Sequence, residues 1–289
     1  MNIRQPVVSG RFYTADPQTL RTEVQGYLDQ GADFRAECAD MDILGCMVPH
    51  AGYIFSGGVA GLTLSQARLP ESVLLLGPNH TGLGPALSLW PDGAWSTPLG
   101  DVPVDSDGVD WLLGWRASDE KSGGSLFTAD RTAHLREHSL EVLLPFLQLQ
   151  RSTLSIIPLC VREYNPERLK EAGLAVAALV RSRQERGKAL LLITSSDMSH
   201  YLPHEEGRKQ DLLALEQILD LSPEGLFQVC VRKKISMCGF AAMTIMLHAC
   251  KVLGATRCRL TAHTSSGVTG KKYGADMKSV VGYAGALIA

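Results

Sequence analysis

Apolar positions along the chain fall into two alternating patterns. Short runs at 43–48, 72–76, 154–159 and 189–194 are apolar at nearly every position. A strand with one wet face would alternate apolar and polar residues, so these runs predict strands buried on both faces, as in a parallel sheet covered by helices. Between and after them, longer stretches predict helices at 16–28, 59–66, 139–150, 166–183, 205–219 and 240–253. The first is the best marked: Asp16 is placed to cap, Pro17 suits the first helical position, and Leu20, Val24, Tyr27 and Leu28 share a face. Runs at 258–263 and 281–288 predict two late strands that complete the sheet. Gly- and Pro-rich segments around 82–100 and 122–124 read as loops or a small antiparallel excursion. No composition break, low-complexity tract or internal repeat divides the chain. The expectation is one α/β domain over 1–289, with a largely parallel or mixed central sheet flanked by helices.

Composition narrows the function classes. The chain of 289 residues is 45% hydrophobic and 20% charged, with a formal net charge of -2. Its basic residues form only short clusters such as Arg232-Lys233-Lys234 and Lys271-Lys272, which gives no electrostatic footprint for nucleic acid. The segment MNIRQPVVSGRFY lacks the apolar core of a secretory signal, and no uncharged apolar run reaches the roughly 18 residues of a membrane helix. A cytoplasmic protein with no membrane partner is expected. Seven cysteines without a repeating spacing fit reduced thiols better than a disulfide framework, and no CxxC pair announces a structural zinc site.

Candidate chemistry gathers at the strand ends. His50 follows the first apolar run by two residues in VPHAGYIFSGG, His80 follows the second by four in LLLGPNHTG, and His200 follows the fourth by six in ITSSDMSHY. Ligands of open parallel sheets bind beyond the carboxyl ends of the strands, so three imidazoles at such addresses can converge on a metal ion. A single loop histidine is more often a solvated or packed residue; the repetition of the address is what raises these three above that reading. Glu137 and His138, in REHSLEVLLPF, precede a helix and are first-turn residues or partners lining the same pocket. His204 and His248 read as structural, and His263 stays open. Cys238, in SMCGFAAM, sits where a loop enters an apolar helix, with Gly239 leaving room for close approach. A thiol at a helix start has a lowered pKa and can bind metal, although a free cysteine is more commonly a small buried hydrophobe. Asp197, three residues before His200, either orients an imidazole, binds metal or caps a turn. Tyr53, Phe55 and Tyr201 are aromatic residues near the expected cleft, placed to shape a pocket or simply to pack.

The ordered series RQPVVSGRFY, VPHAGYIFSGGVA, LLLGPNHTG, EHSLEVLLPFL, SSDMSHY, MCGFAAMTIML and GYAGALIA resembles the Memo family across essentially the whole chain. That resemblance implies a fold similar to the catalytic subunit of class III extradiol dioxygenases, which hold a non-haem iron beyond the sheet. It implies that His50, His80 and Cys238 are metal-site residues, and that His200 serves as acid/base with Asp197 beside it. Where the dioxygenases use a carboxylate ligand this chain has Cys238; a soft thiolate moves the preference toward copper(I), zinc or a thiolate-tuned iron. Three functions follow as expectations. The first is a redox enzyme with iron, or alternatively copper, acting on a small molecule. The second is a module that binds a peptide or small ligand in the inherited cleft. The third is zinc-assisted hydrolysis with His200 or Glu137 as base. The resemblance also implies a pathway link to a radical-SAM protein.

Overall fold

The computed structural model describes residues 2–31, 41–116 and 125–289; the loop expected at 122–124 lies outside them. In its first part the chain forms β1 (Ile3–Arg4), α1 (Pro17–Gln30), β2 (Gly45–Val48), α2 (Tyr53–Leu64), β3 (Ser72–Pro78), β4 (Leu87–Leu89), β5 (Ala94–Thr97) and β6 (Gly100–Pro103). Then come α3 (Ser106–Gly114), β7 (Thr128–Ala129), α4 (Thr132–Leu135), α5 (Leu144–Gln150), β8 (Ser155–Val161), α6 (Pro166–Gln184), β9 (Leu190–Ser195) and β10 (His200–Leu202). The last part comprises α7 (His204–Leu219), α8 (Pro223–Lys233), α9 (Phe240–Val252), β11 (Cys258–Ser265), α10 (Ser266–Thr269) and β12 (Val280–Ile288).

The main sheet runs β10-β12-β2-β9-β3-β8-β4-β7, with β11 also paired to β12. Its centre, β2-β9-β3-β8, is parallel, and β12 and β4 add antiparallel flanks. The four continuously apolar runs are these four central strands, because a strand sandwiched by helices has no wet face to mark with polar residues. Alternation survives in what each face touches. Leu74 and Leu76 pack with α6 and α9 residues such as Val176, Ile245 and Met246, whereas Val73 and Leu75 pack with Leu20 and Val24 of α1, Ala60 and Leu64 of α2, and Leu144 of α5. The result is the expected α/β domain with a mixed sheet between two helical layers.

The expected antiparallel excursion exists: β5 and β6 form a hairpin joined by β1 in a small second sheet. Several boundaries differ from the expected ones. The helix expected at 59–66 begins at Tyr53, since Gly57, which reads as a poor helix former, lets the Tyr27 ring pack against it: a Cβ there would sit 2.6 Å from Tyr27 Cε2. The helix expected at 139–150 splits into a 3₁₀ turn, Glu141–Leu143, and α5, whose first turn holds Pro145. Helices α3 and α8 appear where none is expected, capped by the Asp105 and Ser222 side chains. Cys160, Cys230, Cys238, Cys250 and Cys258 are free thiols.

Candidate metal centre

Parallel order places three strand ends side by side: β2 ends at Val48, β9 at Ser195 and β3 at Pro78. The chain leaving them carries His50, Asp197 and His80. Cys238 arrives from the opposite side, on the turn entering α9. Gly239 makes that approach possible, because a Cβ there would lie 2.5 Å from both the Ser195 carbonyl oxygen and Ser196 Cβ. Gly239 N–H donates to Ser196 Oγ (2.9 Å), and Asp197 N–H donates to Cys238 Sγ (3.2 Å), fixing the thiol beside the strand end.

Ligand atoms of His50, His80 and Cys238 all lie within 4.8 Å of one another. Cys238 Sγ is 3.4 Å from His50 Nε2, and the His50 and His80 rings stand edge to face with centroids 5.3 Å apart. His50 is buried, Cys238 half-buried and His80 exposed, so the cluster opens to solvent on the His80 side.

The hydrogen bonds around the cluster decide which ring nitrogens are free. Ser195 Oγ donates its single proton to the Ser139 carbonyl at 2.6 Å. It can therefore only accept from His50 Nδ1, 2.7 Å away, which puts the His50 proton on Nδ1 and leaves the Nε2 lone pair facing Cys238. Burial above all, with the His80, His138 and His200 rings adding to it, keeps the pKa of His50 well below the ordinary histidine range. A neutral imidazole with a bare Nε2 is the form a metal ion requires.

His80 is held by Glu137. Its backbone N–H and its Nδ1 lie 2.5 and 2.8 Å from the two carboxylate oxygens. Burial disfavours the Glu137 charge, but the hydrogen bond and charge of His80, the His138 ring and the Ser139 N–H outweigh it and hold the carboxyl pKa at about 2. Burial likewise opposes charging His80, yet Glu137 raises its pKa overall. An ionised carboxylate on Nδ1 directs Nε2 toward the cluster, the arrangement that orients histidine ligands of metals. His138 stacks on His80 at 4.8 Å with the planes 15° apart and lies 5.5 Å from the His50 ring. His80, Glu137 and His138 also bring donor atoms within 4.8 Å. Because His80 Nδ1 and Glu137 already satisfy one another, that trio supports the first cluster.

The other expected residues fall as follows. Asp197 is buried and caps the turn after β2, accepting from the backbone N–H groups of His50 (2.9 Å) and Ala51; burial raises its pKa. It does not hold the His200 ring. His200 Nδ1 donates instead to the Ser236 carbonyl at 2.9 Å, while the Asp197 carboxylate faces the backbone amides of His50 and Ala51. Cys238 stands on the turn just before α9, whose cap is Gly239, but its thiol pKa is pushed up, not lowered: burial dominates and the Asp197 charge adds to it. A thiolate there needs a cation beside it. Tyr53 belongs to the core. It is 2% exposed, its hydroxyl donates to the Val142 carbonyl, and its ring packs with Tyr13, Tyr27 and Phe146. Tyr201 is 76% exposed beside His200. His263 pairs with buried Asp211 at 3.0 Å.

Ser195 and Ser139 join the site from outside the residues expected there. In ITSSDMSH the one signal for Ser195 is a pair of hydroxyls at a strand end just before an acidic residue. Glu141, in EHSLEVLLPFL, gives no such signal in the sequence. It accepts from Arg4, Tyr13 and the N–H groups of Val7 and Val8, tying the N-terminal segment to the 3₁₀ turn after the site.

Comparison with known proteins places this arrangement among relatives. A family model described as Memo-like protein matches residues 4–287. A MEMO1 family protein of Ignicoccus hospitalis is 38% identical over 297 residues, covering 98% of each chain. One from Thermotoga neapolitana is 35% identical over 296 residues, covering 99% of each. Among solved structures, an uncharacterized protein, JW3007, from Escherichia coli K12 superposes with a TM-score of 0.53 at 12% identity, over 84% of this chain and 99% of that one. At that identity the likeness speaks for the fold alone.

Proposed function

This chain belongs to the Memo family, and from that membership and the His50, His80 and Cys238 cluster we propose that it is a metal-dependent redox enzyme acting on a small molecule. The observation that carries the reading is the pair of imidazoles whose Nδ1 atoms are taken by Ser195 and Glu137, with both Nε2 atoms left for a third donor, Cys238. Two nitrogens and a sulfur suit iron, copper or zinc; we propose iron, with copper as the alternative. Bound there, such a cation supplies open coordination positions and a one-electron couple.

The chain's own residues do the rest. Cys238 would hold the metal as its thiolate, its proton released to solvent, and the Asp197 and Gly239 N–H contacts hold the sulfur and its turn in place. Ser195 keeps His50 in the ligating tautomer, and Glu137 keeps His80 turned inward. His200, anchored through Nδ1, presents Nε2 to take a proton from a substrate and return it to a product. Asp197 supports this by fixing the turn that carries His50, leaving the orientation of His200 to Ser236.

Expression in iron-replete medium, anaerobic purification and metal analysis test the proposal. Wild type should carry close to one equivalent of metal, and His50→Ala, His80→Ala and Cys238→Ser should each lose most of it. A wild-type protein without stoichiometric metal, or variants that retain it, would end this reading; the same data separate iron from copper and zinc.

A further inference from the structure

A second cavity, lined by none of His50, His80 and Cys238, lies between the first two turns of α7 and the β11–β12 pair. Its volume is about 210 Å³, room for about seven waters at ~30 Å³ each. One stripe of α7 faces it, His204, Gly207, Arg208 and Asp211, the i, i+3, i+4, i+7 set of a helix. We propose that this cavity is a binding site for a small organic oxyanion, a carboxylate or a phosphate monoester.

The argument begins with Ser199. It is 1% exposed, it lines the cavity, and its hydroxyl has no hydrogen-bond partner among the described residues. Buried hydroxyls are nearly always satisfied, so this one is built for a partner from outside the chain. Gly207 keeps it reachable: a Cβ at that position would stand 2.9 Å from Ser199 Oγ.

The surrounding groups set the charge of that partner. Asp211 is the buried acid of the cavity, and its two oxygens are already engaged by Ser199 N–H (2.8 Å) and His263 Nε2 (3.0 Å). Arg208 is the cation facing the space, on the first turns of a 16-residue helix whose amide end favours negative charge. His204 Nδ1 is 2.9 Å from Ser265 Oγ; with the hydroxyl donating, His204 Nε2–H points outward as a further donor. Glu205, 77% exposed, lies 3.8 Å from that nitrogen, beyond hydrogen-bond distance. Val268 and Val280 give an apolar wall for a short carbon chain.

Calorimetric titration of the purified full chain with inorganic phosphate and, separately, with succinate tests the assignment and distinguishes the two sources of oxyanion. One of them should bind saturably at one per chain, at least about tenfold more weakly in Arg208→Ala, where a charge-assisted contact is lost, and equally weakened in Gly207→Ala, which fills the approach to Ser199. His50→Ala should leave the affinity within about twofold, so failure of the metal proposal would not affect this result. Arg208 is exposed, so its variant keeps the test decisive even if Gly207→Ala melts early. Absence of saturable binding by either anion, equal binding by Arg208→Ala, or loss of binding in His50→Ala would each overturn the proposal.

Discussion

Replacing Ser195 by alanine removes one oxygen and tests the logic of the metal cluster. In the intact protein that oxygen accepts from His50 Nδ1 at 2.7 Å and donates to the Ser139 carbonyl at 2.6 Å. Both neighbours are buried, His50 at 1% and Ser139 at 0% exposure, so water has little access to replace it. Leaving a buried donor and a buried acceptor without partners costs about 1–3 kcal/mol each, and a fall in stability of roughly 2 kcal/mol or more is expected. The His50 proton is then no longer confined to Nδ1, and affinity for the metal should drop by about 10–100-fold, the usual consequence of removing such a support. That factor corresponds to about 1.4–2.7 kcal/mol. Urea denaturation reads the first quantity, and an anaerobic competition titration of Fe(II) against a chelator reads the second. A Ser195→Ala protein that is folded by circular dichroism and binds iron within twofold of wild type would refute the claim that this hydroxyl sets the ligand tautomer.

Three further outcomes follow from the buried polar groups. Glu141→Gln leaves Arg4, itself 1% exposed, without its counter-charge and turns an amide toward the Val7 and Val8 N–H groups; a loss of about 3–5 kcal/mol in chemical denaturation is expected. Asp105→Ala removes the α3 cap and strips Arg183 and Ser72 of their partner, and should cost about 2 kcal/mol by the same assay, with no change in metal content. His134 supplies a pH dependence. Burial lowers its pKa from 6.5 to about 4, with Nε2–H donating to the Ser88 carbonyl and the Cys160 thiol on Nδ1. The folded pKa is depressed, so the stability it contributes is present above 6.5 and is lost as pH falls toward 4, by up to about 3 kcal/mol at 1.36 kcal/mol per pH unit. Denaturation midpoints measured from pH 7 to 4 should decline more steeply in wild type than in His134→Gln; parallel curves would contradict this.

The central strands were legible because a doubly buried strand writes itself as an unbroken apolar run, and their ends then gave the addresses of His50 and His80. Helix α8 was not, although Ser222-Pro223 carries its cap and first residue and Leu226, Val229 and Cys230 share its buried face, because exposed Val231 and partly buried Phe227 blur that stripe in so short a segment. Cys238 was legible as a helix-start thiol, but not its raised pKa, which depends on how deeply the turn sinks against Ser195 and Ser196. Which group holds each ring was the least legible feature. Ser195 meets a carbonyl 56 residues away and His80 meets a carboxylate 57 residues away, contacts that only the crossing of strand ends creates. Tyr53 reads as a pocket residue by its proximity to His50 in sequence, whereas helix α2 turns it into the core.

X-ray absorption on the iron-loaded protein tests the central claim most directly, because it counts the donor atoms. The account predicts one sulfur neighbour at roughly 2.3 Å together with nitrogen donors, the sulfur disappearing in Cys238→Ser. A spectrum of nitrogen and oxygen neighbours alone, unchanged by Cys238→Ser, would contradict it.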